Sequence, residues 1–503
     1  MENKFRYGLD QLTVKKALKI ARSQIKGILT EEVKTKIEKS FDAVQSIAKG
    51  DRLVYSINTG FGPLCTTRIS LEETGKLQEN LLKSHSVGIG SPIENELSKL
   101  MLILKTQALC KGYSGASLQI IERICWHIDN NYIPLVPKQG SVGASGDLAP
   151  LAHLFLPLIG LGFLTNNGED YIESEKILKK HNIEPLKLHA KEGLALINGT
   201  QFIVAFAVKI TEMFSSALDH ADLISAISLE SYLASPQPFA EKLLKLRPHR
   251  GSIEVGKNVR RFLQNSQLIE SHKECGRVQD PYSMRCIPQV HGASREALYH
   301  LIEKLECEMN SVTDNPIILN KNETYSGGNF HGQPIALPLD YLGLAASEIG
   351  NISDRRIFLL LEGKWGLPSY LIEEAGLNSG FMMAQYTSAA LTSENKSYCF
   401  PASADSIPTG GGQEDHVSMG SISARKTYKI VRNLQKILAI ELICAAQAFD
   451  FRRPLKSGRI IEECHKYIRE KIPHIYEDTI LSKHINTALE IIRSNELLKI
   501  AQK

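Results

Sequence analysis

The chain has 503 residues, 43% of them hydrophobic and 23% charged, with a formal net charge of +4. That balance is ordinary for a soluble globular protein with a large core, and so small and scattered a positive excess argues against nucleic-acid binding. Nine cysteines without a CxxC pair read as reduced thiols of a cytoplasmic protein, and the polar start Met1-Glu2-Asn3-Lys4-Phe5 lacks the apolar core of a secretion signal.

In chain order, the first hundred or so residues carry short helical segments and the loop Asn58-Thr59-Gly60-Phe61-Gly62. Residues 1–110 are therefore expected to form a smaller N-terminal cap region, with residues 111–503 as a long-helix bundle. Next comes Gly140-Ser141-Val142-Gly143-Ala144-Ser145-Gly146-Asp147-Leu148-Ala149-Pro150. By composition such a run is ordinarily a turn. Its glycines fall as G-x-x-G-x-x-G with no Gly-Lys-Ser/Thr after them, unlike phosphate-cradling loops. A hydrolase elbow needs a residue between the serine and the second glycine, and Gly143-Ala144-Ser145-Gly146 has none.

A third chemistry is open to this segment. If the backbone bends sharply, the Gly146 nitrogen reaches the Ala144 carbonyl carbon and closes a five-membered ring. Loss of one water there, and of the Ser145 hydroxyl as a second, leaves a 4-methylideneimidazol-5-one, an electrophile made from the chain itself. Glycine suits the attacking position because no Cβ obstructs a strained approach.

The apolar run from Leu148 to Leu164 is too short and too interrupted by Pro and Gly for a membrane span, and reads as a buried core helix. His153 within it reads as a satisfied core histidine. Two later segments lack both Gly and Pro, Thr200 to Ser235 and Ser421 to Arg453. Within the first, Phe206, Ile210, Met213, Phe214, Ala217, Ala221 and Ile224 recur at helical steps. Apolar residues cover much of their remaining surface, as in helices inside a bundle or between subunits. Strand-like runs are few, around Leu135-Val136 and Ile317-Ile318-Leu319. Glycine-rich loops follow at 326–332 and at Gly410-Gly411-Gly412. The expected fold is mainly α.

Several separated motifs now carry a resemblance: Val54 to Gly62, Ser84-His85, the Ala-Ser-Gly loop, Leu196-Ile197-Asn198-Gly199-Thr200-Gln201, Val278 to Cys286, Gly328-Asn329-Phe330-His331-Gly332, and Ser406 to Thr409 followed by Gln413 to Met419. Their order from Leu12-Thr13 to near the C-terminus resembles the aromatic amino-acid ammonia-lyases, and within them the histidine-specific branch. The resemblance implies that Ala144, Ser145 and Gly146 form the electrophile autocatalytically, with no external cofactor, and that the substrate amine adds to its methylidene carbon. Attack by the substrate ring is an alternative left open. Tyr55 matches the β-proton base, a role needing a depressed pKa or a coupled partner, because a phenol ordinarily titrates near 10. Tyr282 matches a second site tyrosine and Arg285 a bidentate carboxylate clamp. Asn198 and Gln279 match polar residues around electrophile and substrate, and Phe330 an aromatic packed near the loop. Asp147 is expected to help shape that loop.

Two positions bear on the substrate. Ser84-His85 resembles the histidine-specific pair. Glu414 resembles the histidine enzymes' carboxylate, where phenylalanine-specific relatives carry glutamine. A carboxylate can bind an imidazole N–H, whereas a phenyl ring would leave a buried Glu414 unpaired at about 1–3 kcal/mol or more. The implied reaction is elimination of ammonia from L-histidine to trans-urocanate, the first step of histidine breakdown. Alternatives with the same electrophile are a tyrosine or phenylalanine ammonia-lyase or an aminomutase. The resemblance further implies a homotetramer with sites shared between subunits. No metal-ligand spacing stands out among the histidines. At 410–412 less glycine-rich small residues are expected in many bacterial relatives, and the extra glycine here is expected to raise loop entropy near Glu414.

Overall fold

The computed structural model describes residues 4–502. Helices dominate it, as expected, and the strands are short. The two segments free of Gly and Pro become the Gln201–Ser231 and Gly420–Asp450 helices. Each begins beside a glycine and ends shortly before a proline, where the breaker residues stop the pattern. Shorter helices start at side-chain caps: Thr13, Thr30 and Ser117 each accept a backbone N–H of the first turn, satisfying donors that a helix start leaves orphaned.

The chain divides into two compact units. The first comprises Met1–Lys209, Leu301–Leu339 and Pro401–Arg425; the first 110 residues thus share it with residues 111–209 and two later segments. It holds every described strand, including the antiparallel pairs Ile89–Pro92 with Pro137–Gln139 and Ile317–Asn320 with Glu323–Tyr325. Leu135 and Val136 fall between two strands, Ile133–Pro134 and Pro137–Gln139, rather than within one. A buried cluster of Val44, Ile47, Val54, Ile57, Ala190 and Ile318 anchors the backbone on both sides of Tyr55. The Asn95–Leu109 helix is buried from Leu97 onward, Lys105 included.

The Leu148–Leu164 run is not one helix. It is an α-helix at Leu148–Phe155, a 3-10 turn at Leu156–Ile159 and a strand at Phe163–Thr165. Pro157 has no N–H for the ladder and Gly160 ends the turn at φ +79°, so the apolar character continues while the helical backbone does not. His153 is satisfied as expected: its Nε2 accepts the Gly88 N–H at 3.0 Å, and burial holds its pKa below the ordinary value.

The second unit comprises Ile210–His300, Asp340–Phe400 and Lys426–Lys503. Its centre is held by a fully buried ion pair: Arg356 donates from Nε and a terminal nitrogen to Glu441 at 2.6 and 2.9 Å. Ser228 and Ser353 donate to the same carboxylate at 2.8 and 2.5 Å. Charges at such depth persist only when paired and hydrogen-bonded.

Candidate active site

The Ala-Ser-Gly loop lies in the first unit and is tied down on both flanks. On one side, Asn198 Nδ2 donates to the Ser145 carbonyl at 2.8 Å. The Asp147 N–H donates to the Gly199 carbonyl at 2.7 Å and the Gly199 N–H to Ser145 at 3.4 Å, pairing Gly146 with Gly199. On the other side, Met419 N–H donates to Val142 at 2.9 Å and Ser421 Oγ to the Ser141 carbonyl at 2.5 Å. The loop is therefore clamped by the segments that lead into two long helices.

Gly146 has φ +71°, and a Cβ there would stand 2.1 Å from the Gly199 oxygen. Only glycine accepts that backbone and that approach. Among the described residues no acceptor takes the Gly146 N–H, since the pairing with Gly199 uses the Ser145 carbonyl and the Asp147 N–H instead. The nitrogen required for ring closure is thus uncommitted, while the peptide groups around it are fixed.

Asp147 shapes the loop from beneath. Its carboxyl accepts the Ile203 N–H at 3.0 Å, within the first turn of the Gln201–Ser231 helix, and the Ser141 hydroxyl at 3.3 Å. Burial pushes its pKa up to about 7 against these hydrogen bonds. Lys105, also fully buried, donates to the Ala195 and Asn198 carbonyls at 3.0 and 2.7 Å and is pushed down to about 7 by desolvation. It holds the Asn198 backbone whose side chain grips Ser145.

Glu414 arrives from 269 residues away in sequence: Ser145 Oγ donates to its Oε1 at 3.2 Å. Thr409 Oγ1 donates to its Oε2 at 2.8 Å. It is half-buried rather than buried, and two hydroxyls already satisfy it. The glycines before it form a tight turn. Gly410, Gly411 and Gly412 all have positive φ, +55°, +63° and +90°, and the Thr409 N–H closes the turn onto the Glu414 carbonyl at 2.9 Å. Three consecutive left-handed residues require glycine, and the tight turn they make aims Glu414 at Ser145.

Tyr55 and His85 lie near this carboxylate. The Tyr55 hydroxyl accepts the Gly62 N–H at 3.2 Å, and the Gly62–Leu64 turn packs against Gly410–Gly412. Burial raises the Tyr55 pKa, the Gly62 hydrogen bond lowers it, and the Glu414 charge raises it further. The net direction is upward, not the depressed one, so a base role for Tyr55 requires a coupled partner. His85 Nδ1 pairs with Ser84 Oγ at 3.0 Å; burial lowers its pKa although Glu414 pulls it up. His85, Val87, Val142, Ala144, Thr409 and Glu414 line a cavity of about 220 Å³ over the loop.

Of the remaining expected residues, Phe330 sits half-buried in the first unit, two residues before Gly332, where a Cβ would meet Ser418 Oγ at 2.8 Å. Gln279, Tyr282 and Arg285 belong to the second unit. Gln279 and Tyr282 are exposed, Tyr282 and Arg285 share the short Tyr282–Arg285 helix, and the guanidinium lies 4.5 Å over the Tyr282 ring. Among the described residues, Arg285 Nε is buried without a hydrogen-bond partner. Lys105 and Thr409 were not singled out from sequence. A lone lysine inside Met101-Leu102-Ile103-Leu104-Lys105 is a legible signal for a buried amine; Thr409 ends a motif that carries the resemblance, which by itself assigns it no role.

A model of the aromatic amino acid lyase family matches residues 12–470. The chain is 44% identical over 478 residues to a histidine ammonia-lyase of Natranaerobius thermophilus, covering 94% of each. Among solved structures it resembles histidine ammonia-lyase from Trypanosoma cruzi, with a TM-score of 0.91 and 37% identity over 99% of this chain and 95% of that one. It also resembles tyrosine aminomutase from Streptomyces globisporus, with a TM-score of 0.93 and 32% identity over 99% and 98%. A match that runs through the bent Ala-Ser-Gly loop and nearly the whole chain leaves one assignment: the protein belongs to the aromatic amino acid lyase family and is an ammonia-lyase.

Proposed function

We propose that the protein is a histidine ammonia-lyase, converting L-histidine to trans-urocanate and ammonia as the first step of histidine breakdown in the cytoplasm. The observation that carries this reading is the hydrogen bond between Ser145 and Glu414, a residue that lines a cavity together with His85 and Ala144. A carboxylate at that place can accept an imidazole N–H, a contact that a ring without an N–H cannot supply. High identity to histidine ammonia-lyases over most of the chain supports the same substrate.

The residues fit a 4-methylideneimidazol-5-one formed from Ala144, Ser145 and Gly146. Gly146 N attacks the Ala144 carbonyl carbon and one water leaves; Ser145 then loses its hydroxyl and α-hydrogen as a second. The positive φ and the uncommitted N–H of Gly146 favour the first event, and Asn198 is placed to stabilise charge developing on the Ser145 oxygen. Once formed, the ring supplies an electrophilic methylidene carbon that takes the substrate amine and makes it a better leaving group.

The chain's own groups do the rest. Glu414 and His85 hold the imidazole, Phe330 supports the electrophile and Tyr55 removes the β-proton, while Arg285, Gln279 and Tyr282 take the carboxylate-binding and supporting roles that their motif implies. Burial is the largest cause of the raised Tyr55 pKa, and the Glu414 charge is a smaller one that an imidazole N–H bound there offsets in part. The assembly is a homotetramer with sites shared between subunits.

Incubating purified protein separately with histidine, tyrosine and phenylalanine, and following the conjugated product by absorbance, tests the substrate. Turnover of tyrosine without histidine, or β-amino acid products, would replace this reading with the tyrosine-lyase or aminomutase alternative. Intact mass tests the electrophile by a deficit of two waters mapped to Ala144-Ser145-Gly146, and light scattering tests the tetramer.

A further inference from the structure

A second cavity of about 470 Å³ opens in the first unit, away from the residues of the lyase site. Three chain segments build it: the Glu31–Lys49 helix, the turn after the Asn95–Leu109 helix, and the Ile317–Asn320 strand with its turn. The Ile318 N–H donates to the Tyr113 carbonyl at 2.9 Å, and a Cβ on Gly112 would stand 2.9 Å from that of Lys36. These close backbone approaches fix the walls relative to one another.

Its charge is one-sided. Lys36, Lys39, Lys111 and Lys321 line the cavity from all three segments, and among the described residues Asp42 is the only acidic one in its lining. Lys36 pairs with Glu32 along its own helix at 2.7 Å. Among the described residues, Lys39, Lys111 and Lys321 have no carboxylate partner. Lys111 is half-buried; desolvation, then repulsion from Lys36, holds its pKa below the ordinary value. Four lysines line this one concavity, where like charges on facing walls raise the positive potential that an anion meets.

The wall is not wholly polar. Tyr113 is 41% exposed and Leu319 46% exposed at this cavity, together offering a flat apolar face beside the lysines. The volume lies within the range of small-molecule sites, roughly 300–1,000 Å³. Lysine binds phosphate as a point charge, and an exposed tyrosine ring suits stacking against an aryl or base ring. We propose that this cavity is a binding site for a nucleotide-sized organic phosphate, its phosphates on Lys39, Lys111 and Lys321 and its ring against Tyr113.

The experiment is calorimetric titration of the full-length protein with ATP and, separately, with inorganic pyrophosphate, at an ionic strength of about 0.15 M, where unspecific surface attraction is largely screened. Saturable binding of ATP at one site per chain is expected, with pyrophosphate weaker. Lys39→Glu/Lys321→Glu should weaken both probes by at least about tenfold, and Tyr113→Ala should weaken ATP but not pyrophosphate. All three positions lie outside the lyase site, so unchanged lyase activity verifies that each variant is folded. No saturable binding by the unsubstituted protein, or equal binding by the double lysine variant, overturns the site. Equal affinity for both probes, with no effect of Tyr113→Ala, overturns its assignment to an organic phosphate.

Discussion

Asn198 donates its side-chain N–H to the Ser145 carbonyl at 2.8 Å, while Lys105 donates to the Asn198 carbonyl at 2.7 Å. A buried lysine thus holds the backbone of the residue that steadies the electrophile's precursor. Asn198→Ala removes the stronger of the two donors to that carbonyl, leaving the Gly199 N–H at 3.4 Å. Loss of one such hydrogen bond is worth about 1–3 kcal/mol, so turnover should fall roughly tenfold to a hundredfold. Steady-state kinetics measures the fall, and intact mass tells slower catalysis from incomplete ring formation.

Gly146→Ala should stop ring formation. The new Cβ meets the Gly199 oxygen at 2.1 Å, and a left-handed backbone costs an L-residue about 1–2 kcal/mol. Either the loop shifts and parts Gly146 N from the Ala144 carbonyl, or the pairing with Gly199 breaks. The variant should retain its far-UV circular dichroism and show an intact mass without the two-water deficit; a normal deficit would contradict this account of the loop.

Glu414→Gln keeps the size of the side chain and removes its charge. Histidine kcat/KM should fall by roughly tenfold or more, with phenylalanine gaining relative to histidine. Thr409 can still donate to the amide oxygen, so the turn formed by Gly410, Gly411 and Gly412 should survive. Equal kcat/KM for histidine in both proteins would remove Glu414 from substrate recognition.

Asp147 gives stability a pH dependence of known sign. Its folded carboxyl titrates near 7 against an ordinary 3.8, chiefly through burial. The folded state therefore binds a proton that the unfolded chain has released between those values. The contribution is fully present below about pH 3.8 and is lost as pH rises through about 7. Urea midpoints from about pH 4 to 7 should fall more steeply for the unsubstituted protein than for Asp147→Asn, which does not titrate there.

In the second unit, Arg356→Met leaves the buried Glu441 carboxylate without its cation and should cost about 3–5 kcal/mol. Adding Glu441→Leu removes the stranded charge and should recover much of that loss. Urea unfolding of both variants measures the difference; a single variant as stable as the double would show that Glu441 does not depend on Arg356.

Much of the fold was legible because its signals are local. Freedom from Gly and Pro marked the Gln201–Ser231 and Gly420–Asp450 helices to within a few residues. The Leu148–Leu164 run misled, because hydrophobicity reports burial and leaves the backbone conformation open, and Pro157 and Gly160 decide the latter. Thr409 was silent for another reason: a threonine earns a role at Glu414 only once a turn folds one residue onto the other.

The sequence by itself determined the chemistry within reach. Ala144, Ser145 and Gly146 are contiguous, so their capacity to cyclise is a property of bond order and of glycine's missing Cβ. Tertiary structure alone decided that Gly146 is held at φ +71° with its N–H uncommitted, that Glu414 meets Ser145 across 269 residues, and that Tyr55 in this chain is held above, not below, its ordinary pKa. Those outcomes depend on burial and on charges brought together through space, and neither is encoded in the spacing of residues along the chain.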